Sequence, residues 1–229
     1  MLDLTRKRIL VTGGNGFLGS HIIKELRNVG VSEIISPSSK VCDLRKEENI
    51  ISLLKDEQPN VVIHCAAAVG GIGANRDNPG SFFYENLIMG TQLMEQSRLS
   101  NVEKFVAIGT ICCYPKITPV PFKEEELWSG YPDETTGYYG LAKKMLLVQS
   151  KAYRKQYGFN SIFLMPVNIY GPGDNFIGEH AHVIPALVKK FVDAKVNKSE
   201  EVICWGTGMA TREFIYADDC AKAIVMATE

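Results

Sequence analysis

Gly109-Thr110-Ile111-Cys112-Cys113-Tyr114-Pro115 and Tyr139-Gly-Leu-Ala-Lys143 put a hydroxyl, a thiol, a phenol and an ammonium within reach of one pocket. Groups of these types suit a carbonyl that is reduced while the carbon beside it is epimerised. Tyr139 and Lys143 are one helical turn apart, so on a helix their side chains share a face. A free phenol, with a pKa of about 10, is a poor acid–base catalyst at neutral pH. An ammonium about 5 Å away, at an effective dielectric near 20, stabilises the phenolate by roughly 3 kcal/mol, about two pKa units. The spacing therefore predicts a Tyr139 lowered by Lys143, with Thr110 at a strand end ready to hydrogen-bond a substrate carbonyl. Tyr138 lies five positions from Lys143 and is the poorer candidate.

A second constellation lies upstream. Gly13-Gly14-Asn15-Gly16-Phe17-Leu18-Gly19 falls between an apolar run and an amphipathic stretch. In a strand–loop–helix setting such glycines let the backbone approach a pyrophosphate, whose charge rests on the helix N-terminus. An NAD site usually offers an acid to the ribose at the end of the second strand. Here that place reads Ser36-Pro37-Ser38-Ser39-Lys40, with no acid before Asp43. Hydroxyls and a lysine suit a 2′-phosphate, so the cofactor expected is NADP(H). The same residues are also good turn formers.

The elements that must position these groups follow from the apolar rhythm. Strands are predicted over 8–12, 33–36, 61–65, 104–108 and 161–165, and helices near 16–29, 47–56, 78–99 and 138–157. Continuous apolar strands alternating with helices imply an α/β fold, a doubly wound parallel sheet of Rossmann type. Residues 1–170 form the predicted NADP-binding domain. Over 171–229 the rhythm changes to a helix near 185–194, a strand at 202–205 and a last helix from 218, read as a smaller, incomplete C-terminal substrate-binding part.

Composition narrows the classes. The 229 residues are 45% hydrophobic and carry a formal net charge of −1, with both signs scattered. That argues against a nucleic-acid or membrane footprint. No apolar run approaches the roughly 20 residues of a membrane helix, and the charged N-terminus does not resemble a signal peptide. The six cysteines follow neither a disulfide framework nor a metal-ligand spacing, and Cys65 and Cys204 lie in apolar contexts. Reducing cytoplasm is the expected compartment.

Further stretches carry a resemblance: His64-Cys-Ala-Ala-Ala-Val69-Gly-Gly-Ile-Gly-Ala-Asn75, Cys112-Cys-Tyr-Pro-Lys116, Asn168-Ile-Tyr-Gly-Pro172-Gly-Asp-Asn-Phe176, His182-Val-Ile-Pro-Ala-Leu187 and Trp205-Gly-Thr-Gly-Met-Ala-Thr-Arg212. Across essentially its whole length the chain resembles the extended short-chain dehydrogenase/reductase family. Within it the chain is similar to the GDP-L-fucose synthases, the 3,5-epimerase/4-reductases of GDP-4-keto-6-deoxymannose. The resemblance implies Cys112 as epimerisation base, His182 as the opposing acid, Thr110 as the active-site hydroxyl, and Tyr139 with Lys143 as the reductase pair. It implies a cofactor site of Gly13 through Gly19, Ser38, Ser39, Lys40, Asp43, Leu44, Ala66 and Ala67. At the nicotinamide end it implies Ile108, Gly109, Pro166, Asn168, Ile169 and His182. Asn168, Lys190, Trp205 and Arg212 would meet the GDP-sugar, and no metal is implied. The chain is shorter than a typical member, which would lack the segment closing the substrate lobe.

Plainer roles stand beside these. Cys113 reads as a packing residue facing away from Cys112, His64 as a satisfied core histidine, and His21 carries no argument. Phe82, Phe83, Leu87 and Met94, with Met145, Leu146 and Val148, give the two long helices a broad apolar face. Beyond the core it suggests a homodimer through 78–99 and 138–157. The same chemistry on a related GDP-4-keto sugar (a deoxyheptose or dideoxyhexose), a redox-neutral NAD-dependent epimerase/dehydratase, and a non-catalytic dinucleotide sensor are the rival readings.

Overall fold

Short apolar runs that can bury both faces become the strands of one parallel sheet. The computed structural model describes residues 2–177, 181–204 and 206–229. Its sheet contains β1 (Arg8–Thr12), β2 (Glu33–Ile35), β3 (Val61–His64), β4 (Lys104–Ile108) and β5 (Ser161–Leu164), in the order β2-β1-β3-β4-β5. Thr12 is in register with His64, and His64 with Ala107, so these strands end together at one edge.

Alternation along the strands sends successive side chains to opposite faces. Ile9, Val11, Val61, Ile63, Val106 and Ile108 meet α1 (Phe17–Asn28) through Ile22 and Leu26. Leu10, Val62, Phe105 and Ala107 meet the other helices: Leu54 of α2 (Glu47–Glu57), Leu93 and Met94 of α4 (Pro79–Leu99), and Leu146 of α5 (Gly137–Tyr157). The expected two-sided parallel architecture is therefore present. A short α3 (Ile72–Asp77), too brief and glycine-bearing to show a helical period, precedes α4.

The C-terminal part differs from expectation in two respects. Residues 202–204 form no strand, and Ile203 is exposed. The second small sheet instead pairs β6 (Asn168–Tyr170) with β7 (Phe214–Tyr216) in parallel, with α6 (Val183–Asn197) between them in the chain. An apolar triplet with no sheet edge beside it has no partner for its backbone groups; Phe214-Ile215-Tyr216 takes the edge that β6 offers. Moreover, the last helix, α7 (Ala217–Thr228), packs chiefly against α1 and only secondarily against β6 and β7. Cys220, Ala221, Ile224 and Val225 lie in the same core cluster as β1 and β3. Its end is fastened to the sheet, since Leu2 N donates to Glu229 O (2.6 Å) and Lys104 Nζ to Thr228 O (2.7 Å).

Because α7 completes one face of the core, Ile224→Ala should cost about 2–5 kcal/mol. Val183→Ala, on an exposed stretch of α6, should fall within about 0.5 kcal/mol of wild type. Urea midpoints at constant m check this, and an Ile224→Ala protein as stable as Val183→Ala would remove α7 from the core.

Candidate active site

A parallel sheet with this strand order changes winding direction between β1 and β3, which opens a crevice at the carboxyl ends of those strands. Gly13 turns the chain there with φ of +72°, and a Cβ on it would lie 2.7 Å from Ala66 N. The loops after β1 and β3 are thus in direct contact. Gly16 caps α1 without a side-chain hydrogen bond, leaving the first-turn amides available to an anion. At the end of β2 the Ser36 hydroxyl is buried with no hydrogen-bond partner, while Ser39 and Lys40 are exposed beyond it and Ser38 is half-buried. Asp43 is tied to Arg45 by two side-chain hydrogen bonds (2.8 and 2.9 Å), which hold its carboxyl down at about 2; Arg45 also reaches Glu85. Free helix amides, an orphaned hydroxyl and a nearby lysine, with the one local acid already paired, fit a dinucleotide with an extra phosphate. Leu18, Leu44 and Ile169 pack into the core clusters, so any cofactor contact they make comes from backbone.

The second cluster forms where β4 runs out. Thr110 caps a 3₁₀ turn, Ile111–Cys113, its hydroxyl accepting from Cys112 N (3.2 Å) and its carbonyl from Cys113 N (3.2 Å). The Thr110 hydroxyl also lies near enough to Tyr139 to favour its phenolate. The turn lies directly on α5: a Cβ at Gly140 would fall 2.1 Å from Cys112 O, and the Cys113 thiol donates to Gly140 O (3.2 Å). Gly140 was not singled out by sequence, yet its missing side chain brings Thr110, Cys112 and Tyr139 together. Lys144 anchors the other side of the helix, donating to Leu127 O and stacking over Trp128.

Burial dominates the electrostatics. Tyr139 is held well above the usual phenol range, first by desolvation and then by the Cys112, Cys113 and Cys65 thiols around it. Thr110 opposes this only in part. The expected lowering by Lys143 is not among the influences on Tyr139; withdrawal from water leads them. Lys143 is itself depressed to about 8 by burial, with Cys65 and Cys113 pulling it back. His64 is pushed well down by burial and then by Lys143, and its Nδ1 pairs with the Thr12 hydroxyl at 2.8 Å, as read for a core histidine. Cys113 is pushed up to about 12 by burial, in keeping with a packing role. Cys65, pushed up to about 11, is a third thiol in the site that sequence marked only as buried. Cys204, also expected inside, is exposed.

The C-terminal candidates are held by partners of their own. His182 is the N-cap of α6 and, among the described residues, is joined by no hydrogen bond to Thr110, Cys112 or Tyr139; its Nδ1 is 3.6 Å from Asp174 Oδ1. Asn168 donates to Glu213 O (3.0 Å), Lys190 to Ile203 O (2.9 Å) and Arg212 to Thr211 O (2.7 Å). Trp205 lies outside the described residues, and Pro166 sits between β5 and β6. His21, passed over in the sequence, bridges the two parts: Nδ1 faces Asp218 (2.5 Å) and Nε2 faces Pro172 O (2.9 Å).

The chain as a whole is similar to several known proteins. The model for the NAD dependent epimerase/dehydratase family matches residues 9–229. A GDP-L-fucose synthase from Sinorhizobium fredii is 42% identical over 225 residues, covering 98% of this chain and 71% of that protein. A GDP-D-glycero-L-gluco-heptose synthase from Campylobacter jejuni, solved in the presence of NADPH, superposes with a TM-score of 0.89 at 28% identity, covering 97% of this chain and 74% of that one. A GDP-L-fucose synthetase from Naegleria fowleri bound to NADP gives 0.87 at 29% identity, covering 98% and 74%. No described helix is long and apolar enough to cross a membrane.

Lys143 gives a pH signature. Its folded value near 8 lies below the ordinary 10.5, so the native state carries the full cost of the buried ammonium below about pH 8. That cost disappears as pH rises through 10.5, because there the unfolded chain also gives up the proton. Lys143→Met should therefore be more stable than wild type at pH 7 by up to about 3 kcal/mol, with the gain shrinking between pH 8 and 10.5. Denaturant midpoints of both proteins across that range test it; a gain independent of pH would mean an unperturbed lysine.

Proposed function

The chain belongs to the NAD dependent epimerase/dehydratase family, and on that premise we propose that it converts GDP-4-keto-6-deoxy-D-mannose to GDP-L-fucose by NADPH-dependent 3,5-epimerisation and 4-keto reduction. The observation that carries this reading is the close seating of the Thr110–Cys113 turn on α5 at Gly140, which gathers Thr110, Cys112 and the buried Tyr139 at the carboxyl end of β4. The rhizobial GDP-L-fucose synthase supports the sugar, and the NADP-bound amoebal structure supports the cofactor.

A 4-keto group acidifies the hydrogens on C3 and C5. Cys112 takes one from one face and His182 returns one from the other, which inverts each centre. Thr110 and Tyr139 hold the enolate oxygen in between. NADPH, when bound, supplies the hydride for C4. Tyr139 then protonates the C4 oxygen, and here its burial is an asset: reduction needs the neutral phenol, which desolvation preserves. Lys143, depressed by the same burial, is placed to hold the ribose beside it. A second reading keeps this chemistry on a GDP-heptose, supported by the close superposition on the Campylobacter synthase.

The protein acts as a homodimer through the outer faces of α4 and α5, where Phe83, Tyr84 and Val148 are exposed. All six cysteines are free thiols, in keeping with a cytoplasmic enzyme.

Incubation with the 4-keto substrate and NADPH in deuterated water should oxidise NADPH and place deuterium at C3 and C5. Cys112→Ser should lose both label and net reduction, while Tyr139→Phe should keep the label and lose hydride transfer by about 10²–10⁴-fold. Equal loss of both activities in both variants would refute the two-base scheme. For the assembly, Val148→Asp should shift sedimentation from dimer to monomer.

A further inference from the structure

Asp174 has a buried carboxylate whose position the reaction so far leaves unexplained. Its side chain is 5% exposed, yet it lies in the turn that follows β6. Oδ1 accepts from Asn175 N at 2.7 Å and faces His182 Nδ1 at 3.6 Å, while Oδ2 is buried with no hydrogen-bond partner. A carboxylate withdrawn from water and left half-satisfied is costly, and a cation beside it lowers that cost. Among the described residues, the His182 ring, 45% exposed, is the group beside it able to supply one. The turn itself is secured from the cofactor side, since His21 on α1 holds Pro172 O.

We propose that Asp174 is the positioning residue of the epimerisation acid: it pairs with His182 Nδ1, fixes the ring and leaves Nε2 to deliver the proton. This rests on the functional reading above. In the step it serves, the Cys112 thiolate takes the C3 or C5 proton, and the C–H electron pair moves onto the C4 oxygen as an enolate. The enolate carbon then takes the Nε2 proton from the opposite face, reforming an inverted C–H bond. His182 is left neutral with its proton on Nδ1 toward Asp174, and it regains the other from water while Cys112 releases its own. A carboxylate on Nδ1 selects that tautomer and stabilises the imidazolium that donates.

Two measurements separate this from a merely structural role. Asp174→Ala should slow deuterium entry at C3 and C5 by about 10- to 100-fold. The reverse C4 oxidation of GDP-L-fucose by NADP⁺, which needs no epimerisation, should stay within about twofold of wild type, and Asp174→Glu should recover part of the exchange. Equal loss in both assays would overturn the proposal. Independently of substrate and of any variant's folding, ¹⁵N NMR of labelled histidine in the wild-type protein should show the neutral His182 ring protonated on Nδ1; protonation on Nε2 would overturn it. A wild-type protein that neither exchanges label nor oxidises GDP-L-fucose would sink the functional reading, while the tautomer would still decide the pairing.

Discussion

The chemistry of this protein depends on how closely α5 approaches the turn after β4. No side chain separates them at Gly140, and the Cys112 carbonyl occupies the space a Cβ would need. Cys113 binds the two together from the buried side through its thiol. With that contact made, Thr110 at the start of the turn and Tyr139 on the helix have little freedom to be anywhere but together. Lys143, one helical turn on, follows from the pitch of the helix. The reactive groups are therefore placed by a strand end and a helix, both rooted in the same core cluster through Ala107 and Leu146. Such rigid support is what a preorganised oxygen-binding site requires.

Withdrawal from water then sets the protonation states. The phenol is kept neutral and the ammonium is weakened, two outcomes with one cause. Helical spacing alone suggests attraction between the pair as the leading effect. Inside, desolvation acts on each group separately and leads for both. In the proposed reduction this is not a defect, since the proton is stored on the group that would give it. The cost is borne by Lys143, whose charge destabilises the fold at neutral pH while serving the site.

The parallel sheet and its helices were legible because each strand buries both faces and so reads as an unbroken apolar run, as Val61-Val62-Ile63 does. The glycine loop was legible from its place between such a run and a helix. Cys113 and His64 were legible as packing residues from strand alternation. What escaped depends on partners distant in the chain. β6 and β7 pair across more than 40 positions, so neither short segment announces the other, and 202–205 was the more apolar guess. α7 looked like part of the small lobe because it follows it, but its place is decided by the surface of α1. His21, Gly140 and Asp174 carry no local pattern. Each matters through one contact that only the folded chain supplies.

The two halves of the proposed site are held by different physics. Thr110, Cys112, Tyr139 and Lys143 rest on a packed core. The small part meets the core through Ile169 and Ile215 and through the His21–Pro172 hydrogen bond, and Pro185 is the buried residue of α6 among the described residues. Packed cores resist change because their volumes interlock, whereas the exposed side chains of α6 and of the segment before β7 can change at little cost to stability. On the proposed function, substrate choice is free to drift where Lys190 and Arg212 stand while the carbonyl chemistry stays fixed. Such a division suits a chain similar both to a fucose synthase and to a heptose synthase, the latter superposing on it with a TM-score of 0.89. In the proposed scheme His182 has to be aimed at a rigid site from the exposed start of α6. An exposed acid needs a local orienting group, and the turn after β6 supplies a carboxylate 3.6 Å away.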